Sequence, residues 1–338
     1  MAIDAQASRT TIDLITAAWR TQAVYTATRL GLPDLIEQGH SDSAALARAA
    51  GTGEDVMHRL LRLLTLLGVF EGDEAGGYRN TAVGDLLRDR PGSLRDLSLL
   101  YGEEFYQAWG HSEETFRSGT PGFEKAYGRP LLTYLQSDPE AADRFQRAMR
   151  AGNFFFDAVP QEIDFSGDAH VVDIAGGSGQ LLSTILRAAP RSRGTLLDLG
   201  HTIPLAREHL ERTIGTDRVE LIAGDMFSDA LPAGADTYLL SRVLGDWTDD
   251  DCVRLLRHVR SAMSDGSRLL VIERVARDDG TGLLAALWDL HLLVLNGGRQ
   301  RTPDNYRTLA DRSGLIMERS VELPMENTAL VLAPAPAG

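Results

Sequence analysis

One stretch constrains this chain more than any other: His170 to Gln180, which reads His-Val-Val-Asp-Ile-Ala-Gly-Gly-Ser-Gly-Gln. Val171, Val172 and Ile174 are apolar and β-branched, so they suit a buried strand. The glycines at 176, 177 and 179 then let the backbone turn tightly, and a helical run follows through Ala188. The result is a strand, a glycine loop and a helix N-terminus. Such a junction holds small molecules, because the first helical N–H groups are unpaired and the open end of a parallel sheet leaves a crevice. The run lacks the third glycine of the dinucleotide fingerprint, and Asp173 sits ahead of it. On these residues alone, a nicotinamide site and a purely structural turn stay open.

Beyond the loop, apolar strands at Thr195 to Leu199, Val219 to Ile222, Thr237 to Leu240 and Arg268 to Ile272 alternate with helices near 180–188, 203–214, 249–264 and 303–313. That alternation predicts a parallel sheet with helices on both faces. The chain closes differently. Strands at Ile316 to Leu323 and Thr328 to Leu332 are joined by Pro324-Met325-Glu326-Asn327, too short for a crossover helix, so they must pair antiparallel.

Asp-x-x-Gly-Gly-x-Gly, followed by a parallel sheet closed by an antiparallel hairpin, resembles the S-adenosylmethionine (SAM) methyltransferases. The expected fold class is therefore α/β: a Rossmann-like SAM methyltransferase domain with a C-terminal antiparallel hairpin, plus a mostly helical N-terminal domain. The candidate cofactor residues are Asp173, Gly176, Gly177, Gly179, Asp198, Asp225, Met226, Phe227, Ser241 and Arg242. Asp198 ends the second strand, where a carboxylate can accept from both ribose hydroxyls; a helix-capping aspartate is the alternative. Asp225 follows the third strand and suits an adenine amino group, with Met226 and Phe227 against the ring face.

Upstream, Ile12, Ile15, Trp19, Val24, Ala27 and Leu30 recur at helical spacing over Thr11 to Leu30, and Gly31 with Pro33 closes the segment. Ser41 is placed to cap Ala44 to Ala50. Asp55 precedes Val56 to Leu67, whose leucines cover more than one helix face. A short hairpin over Val69 to Asn80 completes a winged-helix outline. Few basic residues lie on its second and third helices, so a protein–protein role, with the leucine-rich helices on a second subunit, is expected instead of DNA binding. The expected divisions are a winged-helix dimerisation domain at 1–95, a helical substrate-pocket and linker region at 96–165, and a SAM-binding methyltransferase domain at 166–338.

The aromatic run Leu94 to Phe116, and the helix expected over Arg144 to Val159, suit either a core between helices or the wall of a flat pocket. Tyr101, Phe105, Trp109, Met149, Asn153, Phe156, Trp247, Trp288, His291 and Asn296 are the candidate substrate residues.

The stretch Leu240 to Cys252, which includes Val243-Leu244-Gly245-Asp246-Trp247, resembles a motif of the plant and bacterial small-molecule O-methyltransferases with a winged-helix dimerisation domain. In that family the position of Gly245 is usually histidine, the general base, and two acids orient it. Those acids match Glu273 and Gln300. One carboxylate is kept, the other is an amide, and the base is missing. Either the nucleophile needs little deprotonation, or a base comes from elsewhere; the candidate catalytic residues are His291, Asp246 and Glu273.

Within the family the resemblance is to the bacterial phenazine methyltransferases, carried by Tyr25 to Leu32, Tyr101 to Phe105, Ser118 to Phe123, Leu287 to Leu292 and Leu323 to Glu326. It implies a homodimeric enzyme with SAM as cofactor, no metal, and a planar nitrogen-containing tricycle as acceptor. O-methylation of a hydroxyphenazine, the family default, is the expected reaction, and N-methylation of a ring nitrogen is the alternative. Methylation of a ring nitrogen explains the missing base more simply. A member that binds SAM but performs another reaction on an aromatic polyketide, or a ligand-binding regulator, is the remaining alternative.

The net charge of −14 argues against a phosphate backbone or an anionic membrane as partner. Cys252 is the only cysteine, which excludes a disulfide framework and fits a reducing cytoplasm. No segment of about 20 apolar residues occurs.

Overall fold

A computed structural model of the chain describes residues 4–336. It packs as two units. The first takes the chain up to Gly110 together with Leu132–Gly152, and the second takes His111–Leu131 and everything from Asn153 onward. The helices of 96–165 are divided between them.

In the first unit, helices Ala5–Ile15, Ala17–Arg29, Leu32–Glu37, Ser43–Ala50 and Glu54–Leu66 precede two antiparallel strands, β1 (Phe70–Asp73) and β2 (Gly77–Asn80). The single helix expected over Thr11 to Leu30 is interrupted at Thr16, whose hydroxyl donates to the carbonyl of Ile12 at 2.8 Å and competes with the backbone ladder. As expected, the segment closes at Gly31 and Pro33: the helix Ala17–Arg29 ends with Leu30 as its C-cap, and a separate short helix follows. Gly31, at φ +68°, caps Leu32–Glu37, and Pro33 sits in its first turn, where no N–H is needed. The cap of Ser43–Ala50 is Asp42, accepting from Ala45 N at 2.7 Å, in place of the expected Ser41.

Leu32, Leu46, Met57, Leu61, Leu64 and Phe70 form the core of this unit. The helix Ala5–Ile15 buries no residue within the chain, and Leu14, Ile15 and Trp19 stay exposed. On Glu54–Leu66 the outward apolar residues are Val56, Leu63 and above all Leu66, 81% exposed, whereas Leu67 packs on the core. Two segments singled out in the sequence lie against each other: a Cβ on Gly102 would fall 2.3 Å from the Tyr25 side chain, so only glycine fits. The helix expected over Arg144 to Val159 is Pro139–Ala151, with a separate 3-10 turn at Phe154–Ala158.

The second unit is built on a seven-stranded sheet of β3 (His170–Ile174), β4 (Arg193–Asp198), β5 (Val219–Ala223), β6 (Thr237–Ser241), β7 (Arg268–Arg274), β8 (Leu315–Leu323) and β9 (Asn327–Pro334). Their order is β5-β4-β3-β6-β7-β9-β8. Pairing is parallel from β5 through β7, and β9 runs antiparallel to both β7 and β8. β3, β6 and β7 are almost wholly buried, the near-continuous apolar pattern of a sheet covered on both faces. Strand order reverses at β3, which opens a crevice at the carboxyl ends of β3 and β6.

The helix Leu283–Asn296 was not among the expected elements. Leucines and alanines occupy all its sides at the start, so no apolar stripe marks it in the sequence.

Candidate active site

The carboxyl ends of β3, β4, β5 and β6 bring together every residue expected to hold a cofactor. Asp173, on β3, is buried, and burial, reinforced by the charge of Asp198, pushes its carboxyl up to about 8. Its Oδ2 is buried without a hydrogen-bond partner. Such an atom is costly unless a donor meets it. A Cβ on Gly176 would lie 2.8 Å from the Asp173 carboxylate and 2.8 Å from Leu196, so the cradle around that oxygen exists only with glycine there. Gly177 and Gly179 have φ of +58° and +74°, and Gly179 caps the helix Gln180–Ala188.

Asp198 ends β4 and accepts from Gly177 N at 2.8 Å and Leu199 N at 2.7 Å. Burial raises its pKa against these bonds. Asp225 follows β5; its Oδ1 accepts from Phe227 N at 2.9 Å. Phe227 meets the Trp247 ring edge-on with centroids 4.7 Å apart, and the Arg254 guanidinium lies 4.6 Å from its centroid. Trp247, expected beside the substrate, therefore packs with the residues expected around an adenine. Ser241 ends β6 with a buried, unpartnered Oγ. Two non-glycine residues take left-handed backbone at this edge, Ala175 (φ 57°) after β3 and Arg242 (φ 58°) after β6. Backbone strain of this kind concentrates where a fold serves a site. Arg242 also donates to Asn153 Oδ1 at 2.6 Å.

Next to this edge lies the short turn Leu244–Asp246. Glu273 Oε1 accepts from the backbone N–H groups of Val243 (2.9 Å), Leu244 (2.9 Å) and Gly245 (3.4 Å). Burial and the charge of Asp246 raise the Glu273 carboxyl to about 7. The family's orienting carboxylate is thus present, but it orients backbone. A Cβ on Gly245 would meet Leu292 Cδ1 at 3.2 Å, so part of the space next to Gly245 is filled by an aliphatic side chain. Arg301, which the sequence reading passed over, is a fully buried guanidinium that donates to Leu244 O and Trp247 O, each at 2.7 Å, and to Asp249. Only its place between glycines and a capping threonine hinted at such a role.

The other catalytic candidates sit on or near the helix Leu283–Asn296. Asp246 accepts from Asn296 Nδ2 at 2.8 Å; water reaches its surface, yet surrounding protein raises its pKa. His291 is buried, which pushes its pKa down to about 4 and keeps the imidazole neutral. Trp288 lies 6.3 Å from the His291 ring, with the Arg274 guanidinium 4.2 Å from its own centroid. Gln300 donates its backbone N–H to Asp289 at 2.7 Å, and its side-chain Oε1 is buried without a hydrogen-bond partner.

Two aromatic candidates are core residues. Phe156 belongs to the core of the second unit, edge-on to Phe155 at 4.7 Å. Phe105 is 2% exposed and packs edge-on to Tyr101 (5.1 Å) and Phe145 (6.5 Å) in the first unit. Both rings are buried and packed edge-on against aromatic neighbours. Tyr101, Trp109 and Met149 are half-buried in that first unit.

A doubly wound sheet with an antiparallel closing hairpin, a glycine loop around a buried β3 aspartate and a carboxylate at the end of β4 define a SAM-dependent methyltransferase. Comparison with known proteins narrows this class. Residues 109–316 match the O-methyltransferase domain and residues 12–90 the O-methyltransferase dimerisation domain, so the chain belongs to the O-methyltransferase family that joins the two. It is 43% identical to the phenazine-1-carboxylate N-methyltransferase of Pseudomonas aeruginosa over 97% of this chain and 98% of that one. It is 36% identical to a phenazine O-methyltransferase of Lysobacter antibioticus over 91% of each. Among solved structures, human N-acetylserotonin methyltransferase in complex with SAM superposes with a TM-score of 0.90 at 26% identity, covering 99% of both chains.

Proposed function

We propose that this enzyme methylates a phenazine at a ring nitrogen, and that it works as a homodimer. The observation that carries the nitrogen assignment is the turn at Gly245. Gly245 itself carries no proton acceptor, the neighbouring Asp246 accepts from Asn296 Nδ2, and Glu273 Oε1 is committed to three backbone N–H groups. A ring nitrogen offers a lone pair that no base has to free. A phenol must first lose its proton, and His291, held down near 4, is too weak a base to take it efficiently.

SAM, bound at the β3–β6 edge, would supply a methyl group on a sulfonium, which is already a good leaving group. Asp173 and the glycine loop would receive its amino-acid end, Asp198 its ribose, and Asp225 with Met226 and Phe227 its adenine. On the acceptor side, Trp288, Asn296 and Asn153 would fix the plane and depth of the ring system. Orientation of this kind contributes up to about 7–11 kcal/mol in intramolecular reactions.

O-methylation of a hydroxyphenazine is the second reading, favoured by the likeness to the L. antibioticus enzyme. Incubation with methyl-labelled SAM and a panel of phenazine carboxylates and hydroxyphenazines, with NMR of the product, separates the two. An N-methyl phenazinium confirms the proposal; an exclusively O-methyl product overturns the nitrogen assignment; no transfer to any phenazine overturns the acceptor class.

The dimer reading rests on the dimerisation domain and on the apolar residues of Ala5–Ile15 and Leu66 left uncovered in one chain. Sedimentation should show a dimer that Leu14→Asp with Leu66→Asp converts to monomer. A monomeric, fully active parent enzyme would refute it.

A further inference from the structure

Leu323-Pro324-Met325-Glu326 is a motif that the reaction has not absorbed. It forms the turn between β8 and β9, and Met325 and Glu326 take φ of 60° and 59°. They are the two central residues of the turn within the three-residue loop 324–326, and left-handed backbone at two successive positions strongly prefers Asn or Gly. Methionine and glutamate are poor choices locally, and a side chain kept against such a preference points to a contact made elsewhere.

That contact is at the start of the helix Leu283–Asn296. The helix begins after Gly282, which supplies no capping side chain, and its first turn contains no acidic residue. Its leading N–H groups therefore lack a cap of their own. Glu326 Oε2 accepts from Ala285 N at 2.9 Å, across 41 residues of sequence. A carboxylate at this position satisfies one orphan N–H and complements the helix dipole. Further along, Asp289 holds Gln300 N, Asn296 holds Asp246, and Leu292 abuts Gly245. The helix is thus fixed at its first turn by the sheet's closing hairpin and at its later turns by the loops of the site.

We propose that Glu326 is a positioning residue: by capping the helix Leu283–Asn296 from the β8–β9 turn, it sets the depth at which Trp288, His291 and Asn296 meet the acceptor. This rests on the reading of that helix as the acceptor side. The left-handed conformation of Glu326 is then the cost of aiming a carboxylate at Ala285.

The test exploits glycine. Glu326→Gly removes the carboxylate and at the same time relieves the backbone, so the turn itself is not weakened. We expect a rise in acceptor KM of about fivefold, the size of one helix cap, with SAM affinity and Tm unchanged. Amide hydrogen exchange over 284–288 should accelerate. Glu326→Gln keeps an accepting oxygen and should restore KM and exchange most of the way. Unchanged exchange and unchanged KM in the glycine variant overturn the proposal, as does a fall in SAM affinity equal to the change in KM. If the unsubstituted enzyme methylates no phenazine, the acceptor reading fails, while the exchange comparison still decides whether Glu326 holds the helix.

Discussion

The cofactor edge and the acceptor side of this enzyme are built on different principles. At the ends of β3, β4 and β5 the site is made largely of backbone: Gly176, where a Cβ would clash, Gly177 and Gly179 in left-handed conformation, and carboxylates placed by strand ends. Around Gly245 it is made of side chains from distant segments, with Glu273, Asn296, Leu292 and Arg301 all converging on one short turn. The first kind of site tolerates little change, because a single Cβ closes it. In the second, a residue can be exchanged as long as the turn stays pinned. Here the histidine usual to the family has become glycine while Glu273 and Arg301 still hold the loop. Such a division lets a family keep one donor and vary its acceptor.

The largest effect should follow from breaking the backbone-built half. Gly176→Ala places a methyl group 2.8 Å from both the Asp173 carboxylate and Leu196. Overpacking of this kind costs about 1–3 kcal/mol, so SAM affinity by calorimetry should fall by up to about a hundredfold. Phenazine binding in the absence of SAM should hardly move. Equal loss of both would mean that the two halves are not separable.

Asp198→Ala tests the same half with a side chain. A charge-assisted hydrogen bond is worth about 1.5–3 kcal/mol, which predicts a SAM Kd weakened about tenfold or more. Unchanged affinity in a folded variant removes Asp198 from the site.

A smaller effect, seen through pH, sharpens the comparison. Asp173 is raised from 3.8 to about 8 in the fold. Its contribution to the stability of the ligand-free protein is fully present below 3.8 and is lost as pH rises toward about 8, because the buried carboxyl resists ionising. A bound ammonium reverses that preference. The Tm gain produced by saturating SAM should therefore grow as pH rises toward about 8 and level off above it, and in Asp198→Asn, which removes the neighbouring charge, it should level off at lower pH. A pH-independent gain would show that no cation of the cofactor meets Asp173.

The same division decides what the sequence made legible. Asp173 and its glycines lie within one strand–turn–helix, and Asp198 and Asp225 sit where strands end, so local pattern was enough to place them. The strands of the seven-stranded sheet were legible to within a residue or two because their apolar runs are short and bounded, those of β3, β6 and β7 being buried on both faces. The acceptor side depends on pairs far apart in the chain: Asn296 with Asp246, Glu273 with Gly245, Glu326 with Ala285. No spacing rule reports these. An aromatic count does not say which way a ring faces, so the burial of Phe105 and Phe156 was not legible either. The break at Thr16 escaped because the hydrophobic period continues across it, whereas the boundary at Gly31 was legible from the glycine itself.

The smallest expected effect concerns the acceptor side and bears on the reaction itself. His291 is the one imidazole on the helix Leu283–Asn296, and burial holds its pKa near 4. A neutral imidazole so weakly basic gains little by taking a phenol's proton, and a ring nitrogen has none to give. His291→Gln, which keeps polarity and approximate size, should leave kcat within about threefold, far from the 10² or more that accompanies loss of a general base. The pH profile of kcat/KM reports ionisations of the free enzyme and free acceptor. Across acceptors of different basicity its inflection should therefore travel with the acceptor, because a protonated ring nitrogen has no lone pair to donate. An inflection near 7 that stays fixed would instead identify Glu273 as a working acid–base group. Glu273→Gln would then distinguish its two roles. Loss of the fixed inflection with a large fall in kcat would make it catalytic, whereas a change confined to KM would leave it as the residue that pins the Gly245 turn.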